Sequence, residues 1–245
     1  MAIKSLLLLF LICASSFSVN AESNVEVLER PFEIKLSASR LVYNLSSRGA
    51  LITVENPQEY PILVQSEVLS ERLAKDDSFF VSPPLVRLEP NQALRLRLLD
   101  MKGDYPKDRE SLRWLCVKGV PPSKDSLWND GGSKQNKAVL VKKISLSTCI
   151  KLLVRPDAVQ NIESLQHDKV SWTVQNNKLV VNNESPFYLH LNDVDVGREK
   201  LQVEGPVPPY SHIQYDVPVV SSAAVRWSAI NDLGGVSPVF ESIVK

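Results

Sequence analysis

The sequence predicts an all-β protein made of two β-sandwich domains, and three observations favour this fold class. Short apolar segments alternate with turn signals at roughly the 8–12-residue spacing of antiparallel sandwiches. No amphipathic helical period of ordinary length is visible. One long β-prone stretch, residues 138–156, ends at Pro156, after which the predicted strands become shorter. We therefore expect a first domain over residues 22–156 and a second over residues 157–245.

The N-terminal segment predicts export. Lys4 supplies a positive charge, residues 6–12 are apolar, and Val19 and Ala21 frame a small-x-small cleavage site. The apolar run is too short to span a bilayer. We expect residues 1–21 to be a signal peptide, so that the mature chain begins at Glu22.

Charge and cysteine content narrow the classes of partner. The 28 Lys and Arg residues balance the 28 Asp and Glu residues, so nothing favours a nucleic acid or an anionic membrane.

Cys13 is removed with the signal peptide. In an oxidising compartment, Cys116 and Cys149 are expected to form a disulfide bond. It would close a loop of about 33 residues and stabilise the fold by roughly 3–4 kcal/mol.

The first domain begins with alternating residues that predict one long strand over residues 25–42, with a break near Pro31. Arg40 has the same parity as Ile34, Leu36 and Ala38. Two interpretations stay open: an inward arginine that needs a partner, or an arginine at the exposed end of the strand. Further strands are predicted at residues 50–55, 61–69, 79–81, 85–88, 93–99 and 112–120.

A polar loop is predicted at residues 123–137, before the long stretch. Within the stretch, Lys142 and Lys143 mark a change of apolar parity, which requires either a β-bulge or burial on different faces. Lys151 is a lone cation among apolar neighbours, and such a lysine usually extends its amine to water. One parity contains Ile144, Leu146, Ile150, Leu152 and Val154; the other contains Val139 and Val141.

The second domain is expected to follow a short helical turn within residues 157–169. Its predicted strands cover residues 170–175, 178–182, 188–196, 200–203, 213–217, 225–230 and 236–244. His167, His190 and His212 lack metal-ligand spacing. Nucleotide-binding and nucleophile motifs are absent, and the carboxylates are scattered. We expect no enzymatic activity, metal, cofactor or small-molecule substrate.

Several short motifs follow one another in a specific order and spacing, although each is weak alone. They are Arg40 with Tyr43; Asn56, Tyr60 and Pro61; Val64 and Gln65; Ser82, Pro83 and Pro84 with Arg87, Leu88 and Pro90; Asp108, Arg109, Glu110 and Ser111; Ile150, Lys151 and Leu152 with Arg155 and Pro156; and Ile230, Asn231 and Asp232 with Gly234 and Gly235. Over essentially the whole mature chain, they resemble the PapD-like periplasmic chaperones of the bacterial chaperone–usher pathway.

The resemblance implies two immunoglobulin-like sandwiches joined at an angle and a periplasmic, ATP-independent chaperone. Such a chaperone lends a donor strand, here residues 138–153, to a fibre subunit that lacks its last strand, and passes the subunit to an outer-membrane usher. Whether the free protein masks this strand by self-association is left open by the sequence. The long loop and the Cys116/Cys149 pair resemble the branch that serves thin, non-pilus adhesive fibres.

The resemblance also implies roles for individual residues. Leu140, Ile144 and Leu146 would enter the groove of the subunit. Lys142 departs from the usual apolar pattern, so Val139 and Val141 stay alternatives if a bulge intervenes. The subunit's C-terminal carboxylate would be gripped by Arg40 and Lys151. An interdomain ion cluster would consist of Glu110, Arg155 and Asp232.

Two other functional classes compete with the chaperone. A secreted β-sandwich adhesin or fibre subunit would normally be one incomplete domain with a donor extension at its N-terminus, so two complete domains argue against it. An exported enzyme is disfavoured because no catalytic constellation is visible.

Overall fold

The computed structural model describes residues 33–101, 103–122, 146–217 and 222–245, which form two β-sandwiches. This architecture confirms the predicted all-β fold class. Within these ranges, the helical structure is confined to two short 3₁₀ turns, Asp157–Val159 and His167–Lys169. They occupy the segment between the sandwiches where the sequence predicted a helical turn. No helix of the described ranges is long and apolar enough to cross a membrane.

The N-terminal sandwich consists of two sheets. In chain order its strands are β1 (Lys35–Leu36), β2 (Arg40–Asn44), β3 (Ala50–Glu55), β4 (Ile62–Ser70), β5 (Phe79–Ser82), β6 (Leu85–Leu88), β7 (Ala93–Asp100), β8 (Ser111–Val120) and β9 (Leu146–Arg155). One sheet has the order β1-β3-β7-β5 and the other the order β2-β9-β8-β4-β6. The neighbouring strands are antiparallel except for β2 and β9, which run parallel.

The core of this sandwich lies between the two sheets. Alternate residues of each strand point inward, as the pleat requires. Ile52 and Leu96 come from one sheet, and Val64, Leu115 and Leu152 from the other; all five are buried. The core side of β9 is therefore the side of its even-numbered residues.

The first strand departs from the prediction, because the chain changes sheets instead of forming one continuous strand. β1 pairs with β3, whereas β2 pairs with β9. Ile34 contacts the core before the change and Tyr43 after it. The inward parity therefore switches from even to odd, and Arg40 points away from the core although it shares the parity of Ile34.

The described residues of the C-terminal sandwich form seven strands. In chain order they are β10 (Val170–Gln175), β11 (Lys178–Asn183), β12 (Leu191–Val196), β13 (Glu199–Lys200), β14 (Ser211–Tyr215), β15 (Ala224–Ala229) and β16 (Phe240–Ile243). The sheets have the orders β10-β11-β14 and β13-β12-β15-β16. Trp172 and Trp227 fill the core between them, with ring centroids 6.5 Å apart.

Some strands of this sandwich are shorter than the sequence predicts. The strand expected at residues 188–196 begins at Leu191, because Leu189 instead forms an isolated bridge with Val207. The strand expected at residues 236–244 begins only at Phe240. The first of these segments lies beside the N-terminal sandwich, because the backbone N–H of Tyr188 donates a hydrogen bond to Glu110.

Candidate functional site

Two cations lie side by side on the outer face of the N-terminal sandwich. Arg40 begins β2 and is the register partner of Lys151 on β9. Register partners on neighbouring strands point to the same face of a sheet. Because Leu152 points into the core, Lys151 and Arg40 point to the opposite face, toward the C-terminal sandwich. The ladder thus brings together two residues that are 111 positions apart in the chain.

Arg40 is buried, with only 7% of its surface exposed. Its Nη1 donates a hydrogen bond to the carbonyl oxygen of Ile230 at 3.2 Å. This excludes the interpretation that Arg40 is a free arginine at an exposed strand end. Burial lowers the pKa of Arg40, against the opposing influence of Asp232 and Glu110. Its charge is therefore only partly compensated where it lies.

Lys151 is half-buried, and its Nζ lies 5.8 Å from the centroid of the Trp114 ring on β8. Burial, and to a lesser degree the neighbouring Arg40, lowers the pKa of Lys151. In the described part of the chain, neither Arg40 nor Lys151 forms an ion pair with a carboxylate. Two adjacent, partly desolvated cations of this kind attract an anion with several acceptor oxygens.

A second cationic site lies four residues farther along β9 and has its carboxylates in place. Arg155 donates from Nε and Nη2 to Glu110 Oε1 at 2.9 and 2.6 Å, and from Nη1 and Nη2 to the Asp232 carboxylate at 2.9 and 3.1 Å. The other Glu110 oxygen accepts the backbone N–H of Tyr188 at 3.0 Å. Although burial lowers the pKa of Arg155, the two carboxylates outweigh it and raise the pKa overall.

This cluster links the two sandwiches, since Glu110 and Arg155 belong to the first and Asp232 and Tyr188 to the second. Glu110 N–H also donates to the Pro186 carbonyl at 2.9 Å across the same boundary. The structure thus brings together the three charged residues that the family resemblance grouped. Buried charges of this kind are tolerated only when their hydrogen-bonding groups are satisfied.

Among the described residues, one edge of β9 is only partly paired with another strand. β8 pairs with β9 along its described length, from Leu146 opposite Gly119 to Val154 opposite Ser111. β2 covers the other edge only from Lys151 to Arg155. In the described residues, the edge from Leu146 to Ile150 therefore has no partner strand, and an open edge can accept another strand. The two cations lie where this open edge begins.

The predicted donor residues are described only in part. Leu140 and Ile144 lie outside the described residues. Leu146 is the first residue of β9 and is 44% exposed. It has the same parity as Ile150 and Leu152, which are buried in the core. The apolar row of β9 therefore continues beyond the core onto an exposed position.

Cys116 and Cys149 form a disulfide bond between directly opposed positions of β8 and β9. The bond joins the two strands just before the open edge meets the cation pair. This arrangement agrees with the pairing that the sequence predicted for an exported chain.

Several residues of this site were not found by sequence reasoning. The sequence analysis considered His190 only as a metal ligand. In the structure it is buried near Arg40 and Lys151, with 6% of its surface exposed. Trp114 and Ile230 were also missed as neighbours of the two cations. The apolar neighbours Leu189 and Leu191 were the available signal that His190 is buried. In the described ranges, no group of three His, Cys, Asp or Glu residues could hold a metal ion.

Comparison with known proteins gives consistent matches over both sandwiches. Residues 33–160 match the family model "Pili and flagellar-assembly chaperone, PapD N-terminal domain", and residues 166–240 match "Pili assembly chaperone PapD, C-terminal domain". The chain is 38% identical to the chaperone protein AggD of Escherichia coli, over 94% of this chain and 90% of AggD. It is 33% identical to the chaperone protein caf1M of Yersinia pestis, over 94% and 93% of the two chains.

Solved structures give the same result. The E. coli chaperone DraB is 41% identical with a TM-score of 0.78, and the match covers 90% of this chain and 100% of DraB. A chain in the complex of the Salmonella enterica SafA pilin with the SafB chaperone is 37% identical, also with a TM-score of 0.78, over 89% and 100% of the two chains. The similarity therefore extends over both domains and is not limited to one sandwich.

Proposed function

The chain belongs to the PapD-like family of pilus-assembly chaperones, and from this premise we propose how it captures its subunits. Its function is that of a chaperone in the chaperone–usher pathway: it binds and stabilises fimbrial or adhesive-fibre subunits by donor-strand complementation and delivers them to an outer-membrane usher. The cation pair Arg40 and Lys151, at the start of an open strand edge, is the observation that carries the proposed mechanism.

The first step is capture of the subunit's C-terminal carboxylate by Arg40 and Lys151. The two side chains share a face and have no carboxylate partner among the described residues. A terminal carboxylate has two oxygens that can accept charge-assisted hydrogen bonds from both cations. Its binding would also compensate the desolvation that lowers the pKa of each cation. The anchored carboxylate then fixes the register of the incoming strand.

The second step is addition of the subunit's last strand to the open edge of β9. β2 already runs parallel to β9 and begins at the level of Lys151. A strand whose C-terminus lies at Lys151, and which extends back toward Leu146, has the same direction as β9. It would therefore continue the parallel ladder that β2 begins, with main-chain hydrogen bonds along the open edge.

The third step is insertion of apolar side chains into the subunit's incomplete core. Leu146 continues the row of Ile150 and Leu152, which fill the chaperone's own core. We propose that Leu140 and Ile144, which have the same parity in the sequence, are the further donor residues. Apolar side chains on one face of the same strand would then pack in two cores, some in the core of the chaperone and others in the core of the subunit.

Other features of the chain support this role. We propose that residues 1–21 are a cleaved signal peptide that directs the protein to the periplasm. Residues 22–156 then form the subunit-binding domain and residues 157–245 the second domain, held to the first by the cluster of Glu110, Arg155 and Asp232. The role requires binding and release only, so we propose no catalytic activity.

The decisive experiment is co-expression of the cognate fibre subunit with the wild-type chain or with Lys151→Ala, followed by measurement of the soluble 1:1 complex in the periplasm. We expect Lys151→Ala to reduce the complex at least tenfold, because removing one member of a desolvated charge pair commonly costs 2 kcal/mol or more, about thirtyfold in affinity. The variant should remain folded, since Lys151 is not part of the interdomain cluster.

A matched control is Lys118→Ala, which removes an exposed lysine from the neighbouring strand β8. It should yield as much complex as the wild type. If folded Lys151→Ala also yields as much complex as the wild type, the carboxylate anchor is wrong and Lys151 only extends its amine to water.

A further inference from the structure

A small cavity lies where the start of β2 meets the C-terminal sandwich. Its volume is about 20 Å³, and its lining includes Arg40, Tyr188, His190, Ile230 and Asp232. It thus directly adjoins one of the two anchor cations. The remaining lining is mixed, with both apolar and polar side chains.

Two residues of the lining each have a buried side-chain nitrogen atom that has no hydrogen-bond partner among the described residues. These atoms are Nε of Arg40 and Nε2 of His190. Both side chains are more than nine-tenths buried, with exposed fractions of 7% and 6%. Leaving a buried polar atom unsatisfied costs roughly 1–3 kcal/mol, so two such atoms in one cavity call for a common explanation.

The size of the cavity restricts what could satisfy both atoms. A site of 10–15 Å³ is sufficient for one water molecule, whereas the ≈ 20 Å³ available here leaves little room for a second. The guanidinium Nε–H can only donate a hydrogen bond, while a neutral imidazole can accept one. Water does both, and it can therefore connect the two nitrogen atoms.

We propose that this cavity is the site of one structural water, which accepts a hydrogen bond from Arg40 Nε and donates one to His190 Nε2. His190 is then a positioning residue for the anchor arginine; this inference rests on the proposed function of Arg40. The water and the Ile230 carbonyl fix two separate points of the guanidinium. The remaining nitrogen, Nη2, stays available for the subunit carboxylate.

The surroundings of His190 support an accepting imidazole. Burial, followed by the positive charges of Arg40 and Lys151, lowers the pKa of His190 to about 3, while the Tyr188 backbone and Asp232 act in the opposite direction. The imidazole is consequently neutral at neutral pH and keeps a lone pair for the water. His190 is also fixed through its backbone, because its carbonyl accepts the N–H of Ile230 at 2.7 Å.

The test combines crystallography with NMR of the free, full-length mature chain. A wild-type crystal structure that shows ordered water should contain one water bonded to both Arg40 Nε and His190 Nε2. In ¹⁵N NMR, the Arg40 Nε–H should exchange with solvent roughly five- to tenfold faster in His190→Phe than in the wild type, the change expected for the loss of one net hydrogen bond. His190→Gln, which keeps a side-chain acceptor, should restore slower exchange.

His212→Phe is the matched control, because His212 is exposed on β14 and is not part of the cavity lining; it should leave the Arg40 signal unchanged. A well-ordered cavity with no water, or with a water that contacts neither nitrogen, would overturn the proposal. Unchanged Arg40 exchange in both His190 variants would overturn it too. Neither measurement involves a subunit, so the carboxylate anchor is judged separately by the Lys151→Ala co-expression.

Discussion

Both ends of the paired strands β2 and β9 bear cations, but in the described residues only the cation at one end has carboxylate partners. At one end, Arg155 is opposite Asn44 and donates four hydrogen bonds to the carboxylates of Glu110 and Asp232. At the other end, Arg40 is opposite Lys151, and neither has a carboxylate partner among the described residues. Arg155 and Arg40 are almost equally buried, with 5% and 7% of their surfaces exposed.

In the mechanism that we propose, this difference separates a structural cation, Arg155, from the binding cations Arg40 and Lys151. Moving a cation out of water costs several kcal/mol wherever it is buried, and only a well-placed anion offsets that cost. For Arg155 the anions belong to the same chain, so the offset stabilises the contact between the domains. For Arg40 and Lys151 the anion would arrive with the subunit, so the same offset would appear as binding affinity. Replacing each cation should therefore affect different quantities.

Arg155→Ala should give the largest loss of stability. The substitution removes the cationic partner of Glu110, a buried carboxylate with 3% of its surface exposed. Breaking a buried ion pair in this way typically costs about 3–5 kcal/mol. We expect a decrease of that size in the free energy of unfolding, measured by urea denaturation at neutral pH.

Arg226→Ala provides the comparison for an exposed pair. Arg226 lies 3.3 Å from Glu241, and both side chains are mostly exposed to solvent. Such pairs contribute about 0–1 kcal/mol, so this variant should unfold nearly like the wild type. Equal losses in Arg155→Ala and Arg226→Ala would mean that the buried cluster does not hold the domains together.

His190 should make the stability of the folded protein sensitive to acid. Its pKa is lowered to about 3 in the folded protein, compared with about 6.5 in the unfolded chain. The unfolded state therefore binds the proton more readily, and the stabilising contribution of neutral His190 is complete above pH 6.5 and is lost as the pH falls toward 3. Between pH 7 and 4.5 the loss should be roughly 2–3 kcal/mol.

Urea unfolding of the wild type and His190→Gln at both pH values isolates this contribution, because the other titrating groups are common to the two proteins. The stability difference between them should shrink, or reverse sign, at pH 4.5. His212→Gln, which changes an exposed histidine, should follow the wild type at both values. Parallel pH profiles for all three proteins would show that His190 titrates normally.

The fold class could be predicted from local patterns of apolar residues. The main error of the prediction concerned the first strand, because its course depends on pairing partners that are distant in the sequence. Within the described part of residues 25–42, alternation correctly predicted extended structure at β1 and β2, but it could not show that the chain changes sheets between them. That change depends on β3 for one half and on β9 for the other. It reverses the inward parity, which is why the direction of Arg40 could not be deduced from its apolar neighbours.

The site was predictable only through the resemblance to a family. Composition and spacing left Arg40 and Lys151 with ordinary alternatives, and they gave no reason to group Glu110 with Asp232. These residues meet through parallel pairing, which joins Arg40 to Lys151 across 111 positions, and through an interdomain contact, which joins Arg155 to Asp232 across 77 positions. His190 was missed because a histidine was assessed by ligand spacing and not by the burial of its strand neighbours.

Arg40→Met should have a small effect on stability but a large effect on binding. It removes a buried, incompletely paired charge and keeps a side chain of similar length. The lost hydrogen bond to Ile230, worth about 1 kcal/mol, is opposed by the relief of desolvation. Urea unfolding should therefore change by less than about 1 kcal/mol, whereas recovery of the soluble subunit complex should fall at least tenfold. If Arg40→Met instead loses as much stability as Arg155→Ala and still captures the subunit, then Arg40 is a second structural cation. The cations at both ends of the paired strands β2 and β9 would then stabilise the fold.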